Sequence, residues 1–106
     1  MRQSKVQSYH KMLRVLRERV PPLVPVRTRR RPLKDDLGDC SAVWGGEDEL
    51  LRFQITINSR LSWDATWQVL IHEWGHALAW REGHETVDDH GPEWGLACAL
   101  IYREIE

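Results

Sequence analysis

The sequence predicts an α+β domain with an N-terminal helix, a small three-stranded antiparallel sheet, a motif-bearing helix and a C-terminal helix. Three observations carry that prediction. Residues 3–20 place Val6, Tyr9, Leu13, Leu16 and Val20 at the i, i+3/i+4 spacing of an amphipathic helix. Residues 51–58 alternate, with Phe53, Ile55 and Ile57 on one side and Arg52, Gln54, Thr56 and Asn58 on the other. Residues 63–82 hold Ile71-His72-Glu73-Trp74-Gly75-His76-Ala77-Leu78 within an apolar stretch, with Ser62 placed as its N-cap and Gly83 as its C′ residue.

The remaining elements follow in order. Pro21-Pro22 ends the first helix. His10 lies on that helix with nothing beside it at metal-ligand spacing, and reads as a surface histidine. Residues 23–33 alternate at Val24, Val26 and Thr28, and Pro25 assigns this first strand to an edge. It carries Arg27, Arg29, Arg30 and Arg31, whose bland reading is a solvated strand face and whose sharper reading is a phosphate contact. Residues 37–46 read as a second short strand running into a polar turn at 47–49. Three strands with short connections suggest antiparallel pairing, one face against helices and the other wet. After the motif helix, 83–89 reads as a polar loop. His90-Gly91-Pro92-Glu93-Trp94 then opens the last helix, with Pro92 in its first turn and Trp94, Ala97, Cys98, Ile101 and Ile105 as its apolar stripe.

A chain of 106 residues supports one core, so residues 1–106 are expected to form a single domain. With 42% hydrophobic and 29% charged residues, that domain is globular rather than disordered. No apolar run reaches membrane-spanning length and the N-terminus has no hydrophobic signal core, so the expectation is a cytoplasmic protein without a membrane partner. Cys40 and Cys98 are far apart and form no C-x-x-C, which reads as two reduced, buried thiols. The net charge of −1 hides a division. Residues 1–34 hold 11 Lys/Arg and one acid, net +10, and the remaining 72 residues hold 4 and 15, net −11. The expectation is at most a weak nucleic-acid contact through the arginine cluster, partly neutralised by Asp35, Asp36 or the acidic turn.

The chemistry lies in the H-E-x-x-H motif. A helix advances about 100° per residue, which leaves His72 and His76 about 40° apart around the axis. Two imidazoles so placed can grip one Zn²⁺, and Glu73 between them can reach a water on the ion. Leu70, Ile71, Trp74 and Ala77 mark the core face. Ala65, Val69 and Ala79 share the histidine side and leave it room. A catalytic zinc takes three protein ligands. His90 leads for the third place, because it heads a helix and completes a neutral ligand set. Glu93 one turn later, Asp88 and Asp89 in the loop, and His84 just past the helix are the alternatives.

His72-Glu73-Trp74-Gly75-His76 followed by His90-Gly91-Pro92-Glu93-Trp94 resembles the SprT-like (Spartan-type) zinc metalloproteases, a group that includes proteases of DNA–protein crosslinks. The resemblance spans roughly residues 50–105. It implies a minimal zincin-like fold, Zn²⁺ as cofactor, His72, His76 and His90 as ligands, Glu73 as catalytic base, and hydrolysis of a protein or peptide substrate. It also implies that the strand at 51–58 edges the cleft and pairs with an extended substrate. The metzincin pattern is excluded, since its third histidine would fall on Glu82. Arg81, His84 and Tyr102 are the candidates for stabilising an oxyanion. Two rival readings are a non-catalytic, zinc-organised module associated with nucleic acid and a zinc hydrolase of non-peptide substrates.

Overall fold

Each element forms where its apolar pattern places it. The computed structural model describes residues 5–80 and 90–105. In chain order these form α1 (Lys5–Arg19), β1 (Val26–Arg31), β2 (Gly38–Trp44), β3 (Leu50–Asn58), α2 (Trp63–Ala79) and α3 (Pro92–Ile105). A single 3₁₀ turn at Gly46–Asp48 joins β2 to β3. The expected α+β order is present, and two details differ from expectation.

The first is the sheet, whose strand order is β1-β3-β2. β2 and β3 pair antiparallel through their short connection, but β1 runs parallel to β3, with Val26 opposite Phe53 and Arg31 opposite Asn58. The sheet is therefore mixed, not purely antiparallel. Its order follows from burial. Phe53, Ile55 and Ile57 are wholly buried, so β3 takes the centre, hydrogen-bonded on both edges and covered on one face. The arginine-rich β1 and the more polar β2 become the edges. To reach that arrangement the chain crosses the end of β3 over residues 32–37. Asn58 secures the crossing: its side-chain amide donates to the carbonyls of Leu33 and Asp36, both at 3.1 Å. Its Oδ1 accepts from Arg60 N at 3.0 Å and Leu33 N at 3.4 Å. One side chain thus satisfies backbone groups that neither a helix nor a ladder can serve.

The helices lie on one face of the sheet, with α2 against β2, β3 and α3, and α1 reaching α3. Leu13, Leu16 and Val20 of α1, Leu70 and Trp74 of α2 and Ile101 of α3 meet the β3 side chains in one core. Trp74 Nε1 donates to Val20 O at 2.9 Å, which ties α2 to the end of α1. Among the described residues, no helix lies on the opposite sheet face. Register and alternation place Arg27, Arg29 and Arg31 there with Gln54, Thr56 and Asn58. Arg29 Nε donates to Thr56 Oγ1 at 2.9 Å. Arg30, on the helix side, lies 4.1 Å from the centre of the Trp63 ring. No carboxylate of the described residues pairs with Arg27, Arg29 or Arg31, so the expected neutralisation by Asp35, Asp36 and the acidic turn is not found among them.

The second difference is the end of α2. Ser62 caps it as expected, its Oγ accepting from Ala65 N at 3.1 Å. The helix then stops at Ala79, short of 82, because Trp80 leaves helical geometry (φ −59, ψ 137). Its indole goes instead into the core, 6.0 Å from Phe53 and 6.1 Å from Trp44 by ring centres. Burying that indole outweighs another turn of exposed helix. The expected cap at Gly83 lies outside the described residues. No helix among the described residues is long and apolar enough to cross a membrane.

Asn58→Ala removes three hydrogen bonds from the crossing and a fourth, from Arg60 N, in the turn after β3, and is expected to lower stability by about 1–3 kcal/mol. Urea unfolding measures it, and an unchanged midpoint would mean that the crossing is held by other contacts.

Candidate metal centre

Helix α2 brings His72 and His76 together one turn apart, with their Nε2 atoms 3.3 Å from each other. His90 stands just before Pro92, the first residue of α3. Its Nε2 lies 3.0 Å from that of His76 and 3.1 Å from that of His72. The three nitrogens form a nearly equilateral triangle. An imidazole Nε2 is either donor or acceptor and never both, so the three cannot all hydrogen-bond to one another. A cation satisfies all three at once. Nitrogens held about 2.0–2.1 Å from a tetrahedral ion stand about 3.3–3.4 Å apart, close to the spacing here. Among the described residues these histidines are the group able to hold a metal ion. Three imidazoles suit zinc, copper, iron or nickel and suit magnesium or calcium poorly.

The triangle is graded in depth. His76 is 3% exposed, His72 is half-buried and His90 is exposed, so the site is anchored below and open at one side. Burial, and then the charge of His90 nearby, push His72 below the usual imidazole pKa and keep its lone pair available near neutral pH. Glu73 is 6% exposed and its Oε1 lies 3.8 Å from His72 Nε2, beside the triangle.

The sequence reading missed two residues that build this geometry. The helical pattern puts Trp94 in the apolar stripe of α3. Its indole in fact touches all three imidazoles: stacked on His76 at 26°, and at steeper angles to His72 and His90, with ring centres 4.9–5.6 Å away. Its Nε1 donates to His72 O at 3.1 Å. Gly75 makes this approach possible. A Cβ on it would sit 2.5 Å from Cys98 Sγ and 3.1 Å from Trp94 Nε1, so a side chain there forces Cys98, and with it the fit of Trp94, to shift. The available signal was spacing: Gly75 stands one residue before His76, and Trp94 one helical turn after His90.

Of the alternative ligands, Glu93 is exposed on α3 and outside the cluster. Asp88, Asp89 and His84 lie outside the described residues, as does Arg81. Tyr102 is within them, half-exposed on the wall of a cleft of about 460 Å³ that His72 and Glu73 also line. β3 cannot pair with a substrate as the resemblance implied, because β1 and β2 occupy both its edges. β2 is the edge strand beside the cleft, and its first residue, Gly38, forms part of the lining.

Gly75→Ala is expected to weaken metal binding by roughly 10–100-fold, the usual effect of disturbing groups that orient ligands. Chelator competition reads this directly. Wild-type affinity in Gly75→Ala would show that the close helix contact does not set the ligand geometry.

The family model for the SprT-like family matches residues 5–105. No curated protein and no solved structure matches. Because the family match runs from the first helix to the last, and not over the histidine motif alone, the chain belongs to the SprT-like family.

Proposed function

We propose that the protein is a zinc-dependent endopeptidase in which His72, His76 and His90 hold the ion and Glu73 is the general base. The observation that carries this reading is a triangle of three imidazole nitrogens with a buried carboxylate at its side. Structural zinc sites usually close their shell with four protein ligands. Three among the described residues fit a site that keeps one position open for chemistry. When bound, zinc supplies Lewis acidity, bringing the pKa of a water near 7 and polarising a carbonyl. Glu73 takes the proton from the attacking water on its carboxylate and passes it to the departing amine. His76, from beneath, and His90, from the open side, fix the ring positions against Trp94.

Strand β2 is suited to hold an extended peptide. Leu37 O accepts from Asn58 N, so alternation turns Asp39 and Ser41 toward β3 and the backbone groups of Gly38 and Ala42 away from it. Those outward groups can pair with a substrate strand beside the cleft. A buried glutamate next to the ligands disfavours a purely structural zinc module, which has no use for a base. Hydrolysis of a non-peptide substrate is the outcome that the absence of peptide cleavage would favour.

Zinc is expected to bind at about one ion per chain, with tight binding lost in His90→Ala. Glu73→Gln keeps the shape of the side chain and the zinc but loses basicity, so hydrolysis of a generic unfolded protein should fall by about 10²–10⁴-fold. Metal analysis beside turnover tests both parts. Wild-type turnover in Glu73→Gln would assign the base to another group.

For nucleic acid we propose only a weak contact, through the open sheet face that bears Arg27, Arg29 and Arg31. Three phosphate contacts to a single strand correspond to about 2 log units of affinity per decade of salt. Binding measured at two salt concentrations, with Arg27/Arg29/Arg31→Ser as control, checks this. Tight binding at physiological salt that the triple variant loses would contradict it.

A further inference from the structure

We propose that the cleft beside Glu73 is a subsite for one large apolar side chain, that of the residue whose amine departs, so that cleavage occurs before residues such as leucine and phenylalanine. This rests on the peptidase reading above. The cleft, about 460 Å³, is continuous with the metal centre, because His72 and Glu73 are part of its lining. Its volume lies in the lower part of the range for ligand pockets, enough for a side chain but not for a folded partner. α2 contributes Val69 and Ile71 to the walls, α3 contributes Cys98 and Tyr102, and the crossing before β2 contributes Leu37. At Gly38 an added Cβ would meet Val69 Cγ1 at 2.6 Å and Thr56 O at 2.8 Å, so glycine lets β2 lie close on α2 and shapes the floor.

The chemistry of the lining selects the occupant. Apart from His72 and Glu73, no charged side chain of the described residues lines the cleft. Beyond those two groups of the site itself, Gln68 is the only polar aliphatic side chain of the described residues in the lining, too little to offset the hydration that a lysine or aspartate gives up. Leu37 is 62% and Tyr102 47% exposed, and both flank this one cleft. An apolar side chain seated between them covers surface that otherwise faces water. The side of the scissile bond follows from the proton. Glu73 delivers it to the departing amine, so the residue carrying that amine lies against Glu73, within the lining of the cleft.

The test uses the zinc-loaded full chain and the peptides acetyl-Gly-Gly-Gly-Xaa-Gly-Gly-amide, with Xaa as Phe, Leu, Gly, Asp or Lys. Phe and Leu peptides are expected to be cut before Xaa with kcat/KM at least about 10-fold above the Gly, Asp and Lys peptides. Leu37→Lys, a change at an exposed position, should shift preference toward Asp. A second readout needs no turnover. Cys98 lines the cleft, so in Glu73→Gln the Phe peptide should slow its alkylation by maleimide while the Gly peptide does not. Cleavage without side-chain preference, a preference for Lys or Asp in the wild type, or equal alkylation with both peptides would overturn the subsite. Protection by the Phe peptide without any cleavage would support the subsite and overturn the peptidase reading.

Discussion

The contact between α2 and α3 at Gly75 is the constraint on which the site depends. The missing side chain lets Trp94 and Cys98 come against the α2 backbone. Trp94 then does two things with one ring: its Nε1 holds the carbonyl of His72, and its faces and edges hold all three imidazoles. Ligand positions are therefore set by helix packing, which is dense and resists small displacements. A metal site tolerates errors of only about 0.2 Å in its ligand distances, and two packed helices can meet that tolerance.

The sheet serves the site from the other side. Central β3 gives α2 an apolar floor of Phe53, Ile55 and Ile57, against which Leu70 and Trp74 pack. With that floor fixed, the histidines of α2 face away from it toward α3. Asn58, at the end of β3, pins the crossing that delivers Leu37 and Gly38 to the cleft. Stability of the crossing and shape of the cleft thus share one side chain. β2 remains an edge, and that makes it the strand with backbone groups to offer.

The division of charge along the chain has partly structural uses. Arg17 donates to Val26 O at 3.3 Å, joining α1 to the start of β1. Arg19 donates to Glu104 O at 2.9 Å, placing a cation at the carbonyl end of α3, where the helix dipole favours it. Arg30 lies over Trp63. These contacts account for several of the basic residues without any external partner. Arg27, Arg29 and Arg31 remain on the sheet face that no helix of the described residues covers.

Much of this was legible in the residues themselves. Periodicity located the helices and the strand at Leu50–Asn58, Ser62 announced the start of α2, and the paired histidine motifs marked the cluster. Those signals are local, or rest on ligand chemistry that only a few residue types can supply. Strand order was not local. Short connections suggested an antiparallel neighbour for β1, yet the competition for the buried centre went to β3 and left β1 parallel to it. The end of α2 was decided by Trp80, whose ring packs beside Phe53 and Trp44. The roles of Gly75 and Trp94 arise where two helices meet. Which residues touch there depends on how the helices pack on the sheet, and a pattern within either helix does not contain that information.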